Sequence, residues 1–315
     1  MMTKEQNFST EVEALLTEQL KNWPLASKNY EALKTVRSKT FRIDNRFDCR
    51  VQFNPGRIQS SAAKVDSRSL RERKCFLCSE NLPQEQRGLA FASEYSVLVN
   101  PFPIFPRHLT IANLSHVDQR IADRYEDMLD IAKALPDFVV FYNGPKCGAS
   151  APDHMHFQAG NKGFLPLERD VRSLARRVIV SKEGISCYSL EEYARTCIVI
   201  EASDKASSAQ LFRRIYQAVE VENEEEPMLN LLVWYEASKW MTCIFLRKLH
   251  RPKCFFAEGE ENMLISPASV DMGGVFILPQ EKDFNKITAY DVKAILEEVS
   301  LSREALLEVF RKIDL

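Results

Sequence analysis

Gly148-Ala-Ser-Ala-Pro-Asp-His-Met-His-Phe-Gln-Ala-Gly160 holds two of the five histidines in a chain of 315 residues. Between its terminal glycines, Met155, Phe157 and Ala159 alternate with His154, His156 and Gln158, and this alternation predicts an extended strand from Met155 to Ala159. Successive side chains of a strand point to opposite faces, so the two imidazoles and the amide share one face while Met155 and Phe157 enter an apolar layer. Such a row can bind a metal, attack a phosphorus atom, or divide the two tasks between two rings. The stretch alone leaves these alternatives open.

The segments around it supply further polar candidates. Upstream, Phe138 to Tyr142 reads as an apolar strand ending at Asn143-Gly144, and the loop that follows carries Gly148 and Ser150, small residues that let backbone N–H groups approach a ligand. Cys75-Phe-Leu-Cys78 has the spacing at which two thiolates converge on one ion, with a redox pair or two buried thiols as competing readings. No second Cys-x-x-Cys occurs, so a metal site needs two ligands from elsewhere. His108, at the start of a strand predicted from Pro106 to Ile111, is a candidate partner. His116 is expected in the first, exposed turn of a helix starting at Ser115. Between Asn54 and Lys64, Arg57, Ser60, Ser61 and Lys64 are the donor types that hold a phosphate, set against an ordinary polar loop.

Farther out, Thr10 and Glu13 are placed for a capping box at the start of a helix over residues 10 to 23. The strand pair Leu229–Tyr235 and Met241–Leu246, joined through Glu236-Ala-Ser-Lys239, repeats the plan of Phe138 to Gln158 without the His-x-His and reads as a degenerate internal repeat. Glu222, Glu224, Glu225 and Glu226 before it read as a solvated acidic loop, and helices are expected from Tyr290 to Ile313. The expected organisation is a helical segment over residues 1–40, a catalytic half over 41–180 and a degenerate half over 181–315. With 45% apolar and 27% charged residues the chain is of soluble globular type. A net charge of −2 argues against general nucleic-acid affinity. The absence of a signal-like leader and of any apolar run of membrane-spanning length makes a cytoplasmic protein with no membrane partner the expectation. In that reducing compartment most of the eight cysteines are expected as buried apolar residues.

His154-Met-His156-Phe-Gln158, preceded by a Gly-Ala-Ser turn and an apolar strand ending in Asn143, resembles the His-x-His-x-Gln motif of the transferase branch of the histidine triad (HIT-like) superfamily. The likeness is strongest over residues 75 to 160. That branch includes galactose-1-phosphate uridylyltransferases, diadenosine tetraphosphate phosphorylases and GDP-hexose phosphorylases. Hydrolases of the superfamily carry a third histidine where Gln158 stands, so the resemblance implies transfer. It further implies an α+β fold, with a mostly antiparallel sheet flanked by helices and two related halves, the second degenerate.

On the same resemblance His156 is the nucleophile and forms a covalent nucleotidyl-imidazole, with Gln158 and Ser150 on the phosphate. Arg57, Ser60, Ser61, Lys64, Asn143 and Gly148 bind substrate. A structural zinc ion rests on Cys75, Cys78, His108 and His154. The implied substrate is a nucleoside diphosphate sugar of GDP-hexose type or, next, a dinucleoside polyphosphate, with phosphate or a sugar phosphate as acceptor; a homodimer is admitted. Met155 stands where uridylyltransferases have proline, which turns the expectation away from their particular substrates. Two other readings stand beside this one: an inactive nucleotide- or sugar-binding protein on the same zinc-stabilised scaffold, and a hydrolase in which His154, His156 and His108 bind a catalytic metal.

Overall fold

The computed structural model describes residues 4–58, 67–219, 221 and 224–313. Ser60, Ser61, Lys64 and Glu222 lie outside the described residues. The chain opens with helices α1 (Lys4–Asn22) and α2 (Pro24–Leu33). α1 begins six residues ahead of Thr10, so the expected capping box falls inside the helix. Pro24 takes the first position of α2, where its missing N–H costs nothing, and the break leaves Trp23 buried at the corner.

Strands β1 (Arg37–Ile43) and β2 (Phe47–Phe53) follow as a hairpin whose turn residues Asp44 and Asn45 both have positive φ. Short polar side chains tolerate that conformation best among non-glycine residues. Eight strands of the main sheet are then interleaved with two principal helices: β3 (Gly88–Phe91), β4 (Tyr95–Val99), β5 (His108–Asn113), helix α3 (Tyr125–Ala134), β6 (Phe138–Asn143), β7 (His156–Asn161), β8 (Arg176–Lys182), β9 (Ile185–Leu190), β10 (Ile198–Ala202) and helix α4 (Lys205–Ala218). The hairpin β11 (Leu229–Glu236) and β12 (Lys239–Leu246) completes that sheet. Then come β13 (Val275–Leu278), α5 (Ala289–Val299) and α6 (Arg303–Lys312).

The ten-stranded sheet runs β3-β4-β5-β7-β6-β11-β12-β10-β9-β8, antiparallel at every junction. Read outward from the β6–β11 junction, the order is the same in both directions: an inner strand, its hairpin partner, then three strands of a meander. α3 connects β5 to β6 as α4 connects β10 to β11. This is the geometry of two related halves joined through their inner strands, from Asn143 opposite Asn230 to Val140 opposite Val233. The fold is α+β, a large antiparallel sheet flanked by helices, as the sequence implied.

Strand alternation divides the buried residues between two layers. Val97, Ile111, Phe157, Val140, Val233 and Ile244 pack with Leu129 of α3 and Phe212 of α4 on one face. On the other face Phe141, Leu232, Cys243 and Phe245 pack with Phe47 and Val51 of β2, Phe276 of β13 and Val292 of α5. A three-stranded sheet lies on that second face, with β2 antiparallel to β1 and parallel to β13. It covers the second half. The first half keeps an opening there.

The helix expected from Ser115 is not formed; helix begins only at Tyr125. Residues 115–124 are instead held by long-range bonds that a helix would break. The Met155 N–H donates to the Val117 carbonyl at 2.7 Å and the Gln119 N–H to the Pro152 carbonyl at 3.0 Å. The acidic stretch is corrected in part: Glu226 is buried, accepting from the Ile121 N–H and the Tyr142 hydroxyl, both at 2.6 Å.

Candidate active site and metal centre

β7 runs between β5 and β6 with Ala112 opposite His156, Thr110 opposite Gln158 and His108 opposite Gly160. Met155 and Phe157 face the helical layer, so His156 and Gln158 face the opening, as the alternation required. Gly160 is fixed by contact: a Cβ there would lie 2.4 Å from the ring of Phe105, which packs edge-on to His108. The sheet thus carries a polar patch made from two neighbouring strands.

The His156 ring is nearly buried and its Nδ1 lies 2.8 Å from the carbonyl oxygen of His154. A carbonyl accepts only, so the proton sits on Nδ1 and the lone pair on Nε2. Burial lowers the His156 pKa to about 4, which keeps the ring neutral at ordinary pH. The same reasoning orients Gln158. His108 Nδ1 accepts the Ile104 N–H at 3.1 Å, so its Nε2 carries the proton and donates to Gln158 Oε1 at 3.0 Å. Asn100 Nδ2 approaches the same oxygen at 3.5 Å. With its oxygen occupied from behind, Gln158 turns its NH₂ group to the opening. His108 is itself held neutral, its pKa lowered to about 3 by burial and by the charge of Arg57.

The opening is a cleft of about 600 Å³ whose polar lining includes His156, Gln158, Ser150, Arg57 and Arg73 and whose apolar lining includes Trp23, Leu25, Phe76, Leu98 and Phe102. Arg57 donates to the Phe102 carbonyl at 2.7 Å and forms no ion pair among the described residues. Burial lowers its pKa to about 10, which still leaves a cation in the cleft that His156 lines. A guanidinium with no carboxylate partner among the described residues, an amide donor and a hydroxyl lining one cleft with a neutral imidazole suit a phosphate ester. Elsewhere, in a cleft of about 450 Å³, Arg46 pairs with Glu192 and Arg303 with Glu191, and no imidazole or thiol lines it.

The metal ligand set needs one correction. Cys75, Cys78, His154 and His116 bring their ligand atoms within 4.8 Å of one another, whereas His108 is committed to Ile104 and Gln158. Cys75 Sγ lies 3.3 Å from His154 Nδ1, and Cys78 Sγ lies 3.2 Å from His116 Nδ1 and 3.6 Å from His154 Nδ1. His154 Nε2 donates to the Asn113 carbonyl at 2.8 Å, which leaves the Nδ1 lone pair facing the sulfurs. A tetrahedral ion with ordinary zinc–sulfur and zinc–nitrogen bonds has ligand–ligand edges of roughly 3.3 to 3.8 Å, so the four residues fit such an ion. Burial pushes the Cys75 thiol up, but a protonated His154, donating from Nδ1 as well, together with the N–H groups of Leu77 and Cys78 outweighs this and lowers it to about 6; an ion between them would take the place of that proton. His156 and His108 are not in the cluster, which removes the support for a catalytic metal on the three histidines.

Two further candidates face away from the cleft. Asn143 is buried with its Oδ1 accepting from Ser269 N at 2.8 Å, Ser269 Oγ at 2.7 Å and Asn230 Nδ2 at 3.0 Å. Gly148 has φ +93°, and a Cβ there would lie 2.5 Å from Ala268 Cβ. Both fasten the loop before β7 to the second half. Besides His116, the sequence reading missed Arg73, whose ion pair with Asp153 ties that loop to the cysteine turn. It also missed Asn100 and Thr110, which hydrogen-bond each other at 3.1 Å. Thr110 had a signal: it is two residues from His108 and shares its face.

Residues 15–161 match a family described as a domain of unknown function, DUF4922, and residues 170–313 match the GDPGP1-like C-terminal domain. No curated protein sequence matches the chain. Among solved structures, yeast Ap4A phosphorylase Apa2 aligns with a TM-score of 0.57 at 17% identity, covering 88% of this chain and 96% of that one. Its complex with AMP gives 0.56 at 17% identity over 89% and 94%, and its complex with Ap4A 0.54 at 16% identity over 88% and 96%. Over most of its length the chain therefore shares the fold of a solved Ap4A phosphorylase.

Proposed function

We propose that this protein is a nucleotidyltransferase of phosphorylase type. It cleaves a nucleoside diphosphate sugar of GDP-hexose type or a dinucleoside polyphosphate, through a covalent nucleotide on His156. The observation that carries the reading is the state of His156: neutral, with Nδ1–H tied to a backbone carbonyl and Nε2 free beside the cleft. In the first step the Nε2 lone pair attacks the α-phosphorus; a P–N bond forms, the P–O bond to the leaving group breaks, and the leaving sugar phosphate or nucleoside polyphosphate carries away the bond electrons. In the second, an oxygen of orthophosphate or of a sugar phosphate attacks the same phosphorus and the P–N bond breaks, restoring the imidazole. Splitting one displacement into two allows the acceptor to differ from the group released.

The amide of Gln158 donates to a nonbridging oxygen, where an imidazole able to take a proton would favour water as acceptor, and Ser150 and Arg57 stabilise the charge that develops. The apolar part of the cleft takes the nucleoside. The AMP and Ap4A complexes of the yeast enzyme of similar fold support a nucleotide as the ligand. The Cys75, Cys78, His116 and His154 set is read as a structural zinc site. When bound there, the ion ties the cysteine turn to the strand that carries the nucleophile and performs no chemistry itself.

The test is incubation with GDP-, ADP- and UDP-sugars and with dinucleoside polyphosphates, with and without orthophosphate. A nucleoside diphosphate should be released only when phosphate is present, and a nucleotidyl adduct on His156 should appear by mass spectrometry when phosphate is withheld. Ligand binding without adduct or product across the panel sinks the reading in favour of a binding protein.

A further inference from the structure

His156 stands where the β6–β7 ladder has already ended. The two strands pair from Phe138 opposite Asn161 to Phe141 opposite Gln158; two more residues of that register would set Asn143 opposite His156, but the pairing has ended by then. On the other side, the Asn113 N–H donates to the Met155 carbonyl at 2.9 Å, so the pair Ala112 and His156 is of the wide, non-bonded kind. The N–H and C=O of His156 therefore point away from β5, into the gap that β6 has left. Buried backbone groups need partners.

Gln119 fills the gap. Its side chain is fully buried; Oε1 accepts the His156 N–H at 2.7 Å, and Nε2 donates to the His156 carbonyl at 2.9 Å and to the Asn143 carbonyl at 3.0 Å. One primary amide thus makes both bonds that a strand residue would make to His156 and bridges to the end of β6. The amide is itself anchored on both sides: the Gln119 N–H donates to the Pro152 carbonyl, and the Ile121 N–H to the Glu226 carboxylate. Gln119 does not line the cleft that holds His156 and Gln158.

We infer that Gln119 is a positioning residue for the nucleophile. It stands in for the missing rung of the sheet, fixing the His156 backbone so that Nδ1–H stays on the His154 carbonyl and Nε2 stays presented to the cleft. The gap has its own use: it lets residues 144–155 leave the sheet and carry Ser150 and His154 to their places. This inference rests on His156 being the nucleophile. A reacting atom displaced by about 1 Å loses on the order of a hundredfold in rate.

The experiment compares the zinc-loaded full chain with Gln119→Met, which keeps the length of the side chain and removes all three bonds. Single-turnover adduct formation is followed by intact-protein mass spectrometry, using the substrate that labels the parent. The adduct amplitude counts competent molecules, and the rate constant is read on those alone. Gln119→Met should slow adduct formation about a hundredfold, while nucleotide affinity and zinc content stay within about threefold and one ion per chain, since the residue touches neither. Gln119→Glu, which keeps the acceptor for the His156 N–H, should fall between the two, and it decides the matter if the methionine variant does not fold. A parent-like rate constant in a folded variant overturns the inference, as does a loss confined to amplitude, affinity or zinc. A parent that forms no adduct overturns the nucleophile itself, and so separates the two failures.

Discussion

β7 and β12 occupy the same place in the two halves of the sheet, each between its meander and an inner strand, and they have opposite fates. On β7 the face away from the helices carries His156 and Gln158 beside an open cleft. On β12 the same face carries Met241, Cys243 and Phe245, pressed under the β1–β2–β13 sheet and α5. The strand plan is equal; the covering is not. A polar row pays its desolvation cost only where an opening and neighbouring donors satisfy it, and once a second layer lies on the face, apolar side chains are the stable solution.

The contrast breaks most visibly by exchanging what each strand loses. His156→Ala should lower turnover at least about 10,000-fold and abolish the adduct, with a melting temperature close to the parent; equal turnover in the two proteins would remove His156 from the chemistry. Phe245→Ala, on the covered strand, should do the reverse. It should cost about 3–5 kcal/mol of stability by denaturant unfolding and leave the adduct rate per folded molecule unchanged. A selective loss of rate there would mean that the second half touches the chemistry.

A subtler link between the halves is Glu226, which reaches from the approach to β11 to Ile121 and Tyr142 of the first half. Burial raises its carboxyl from 4.5 to about 7, against the lowering effects of its two hydrogen bonds and Arg120. The folded state therefore keeps a proton that the unfolded chain has released. The resulting stability is full below pH 4.5 and is lost as the pH rises through 7, by about 3 kcal/mol in all. Unfolding of the parent and of Glu226→Gln between pH 5 and 8 should show the parent losing more, since the amide does not titrate; parallel curves would refute it. The smallest effect separates two histidines of the first half. His116→Ala should abolish stoichiometric zinc binding, whereas His108→Ala should retain zinc and lose roughly tenfold to a hundredfold in turnover as the Gln158 amide loses its orientation. Zinc lost in the His108 variant and kept in the His116 variant would restore the ligand set implied by sequence resemblance.

What the sequence shows reliably is what is local. The alternation through Met155, His156, Phe157 and Gln158 contains its own facing, and the Glu236 to Lys239 hairpin forms as read even though its turn residues Ala237 and Ser238 must adopt positive φ. The choice between His108 and His116 is not local. Both follow the cysteines in sequence, and only the course of residues 115–124, bent by bonds to Val117 and Gln119, brings the second ring to the sulfurs. Asn143 and Gly148 prove to be structural contacts for the same reason. Their chemistry suits a ligand, but Ser269, Asn230 and Ala268, more than eighty residues further on, arrive first. Glu226 looked solvated because its neighbours are acidic, and nothing nearby in sequence announces the Tyr142 hydroxyl.

The parallel pairing of β2 with β13 sets Arg50 beside Val275, among the earliest and the latest strands of the described residues. A ribosome therefore releases the strand that carries His156 long before the layer that seals the opposite end of the sheet can close. The nascent protein spends that interval with the outer face of β11 and β12 bare, and the long loop to be closed makes the last step slow. Cutting the gene between the two matched domains would yield fragments that must find each other to bury that face, so shared production of both pieces, not either piece alone, is the route to a complete split protein.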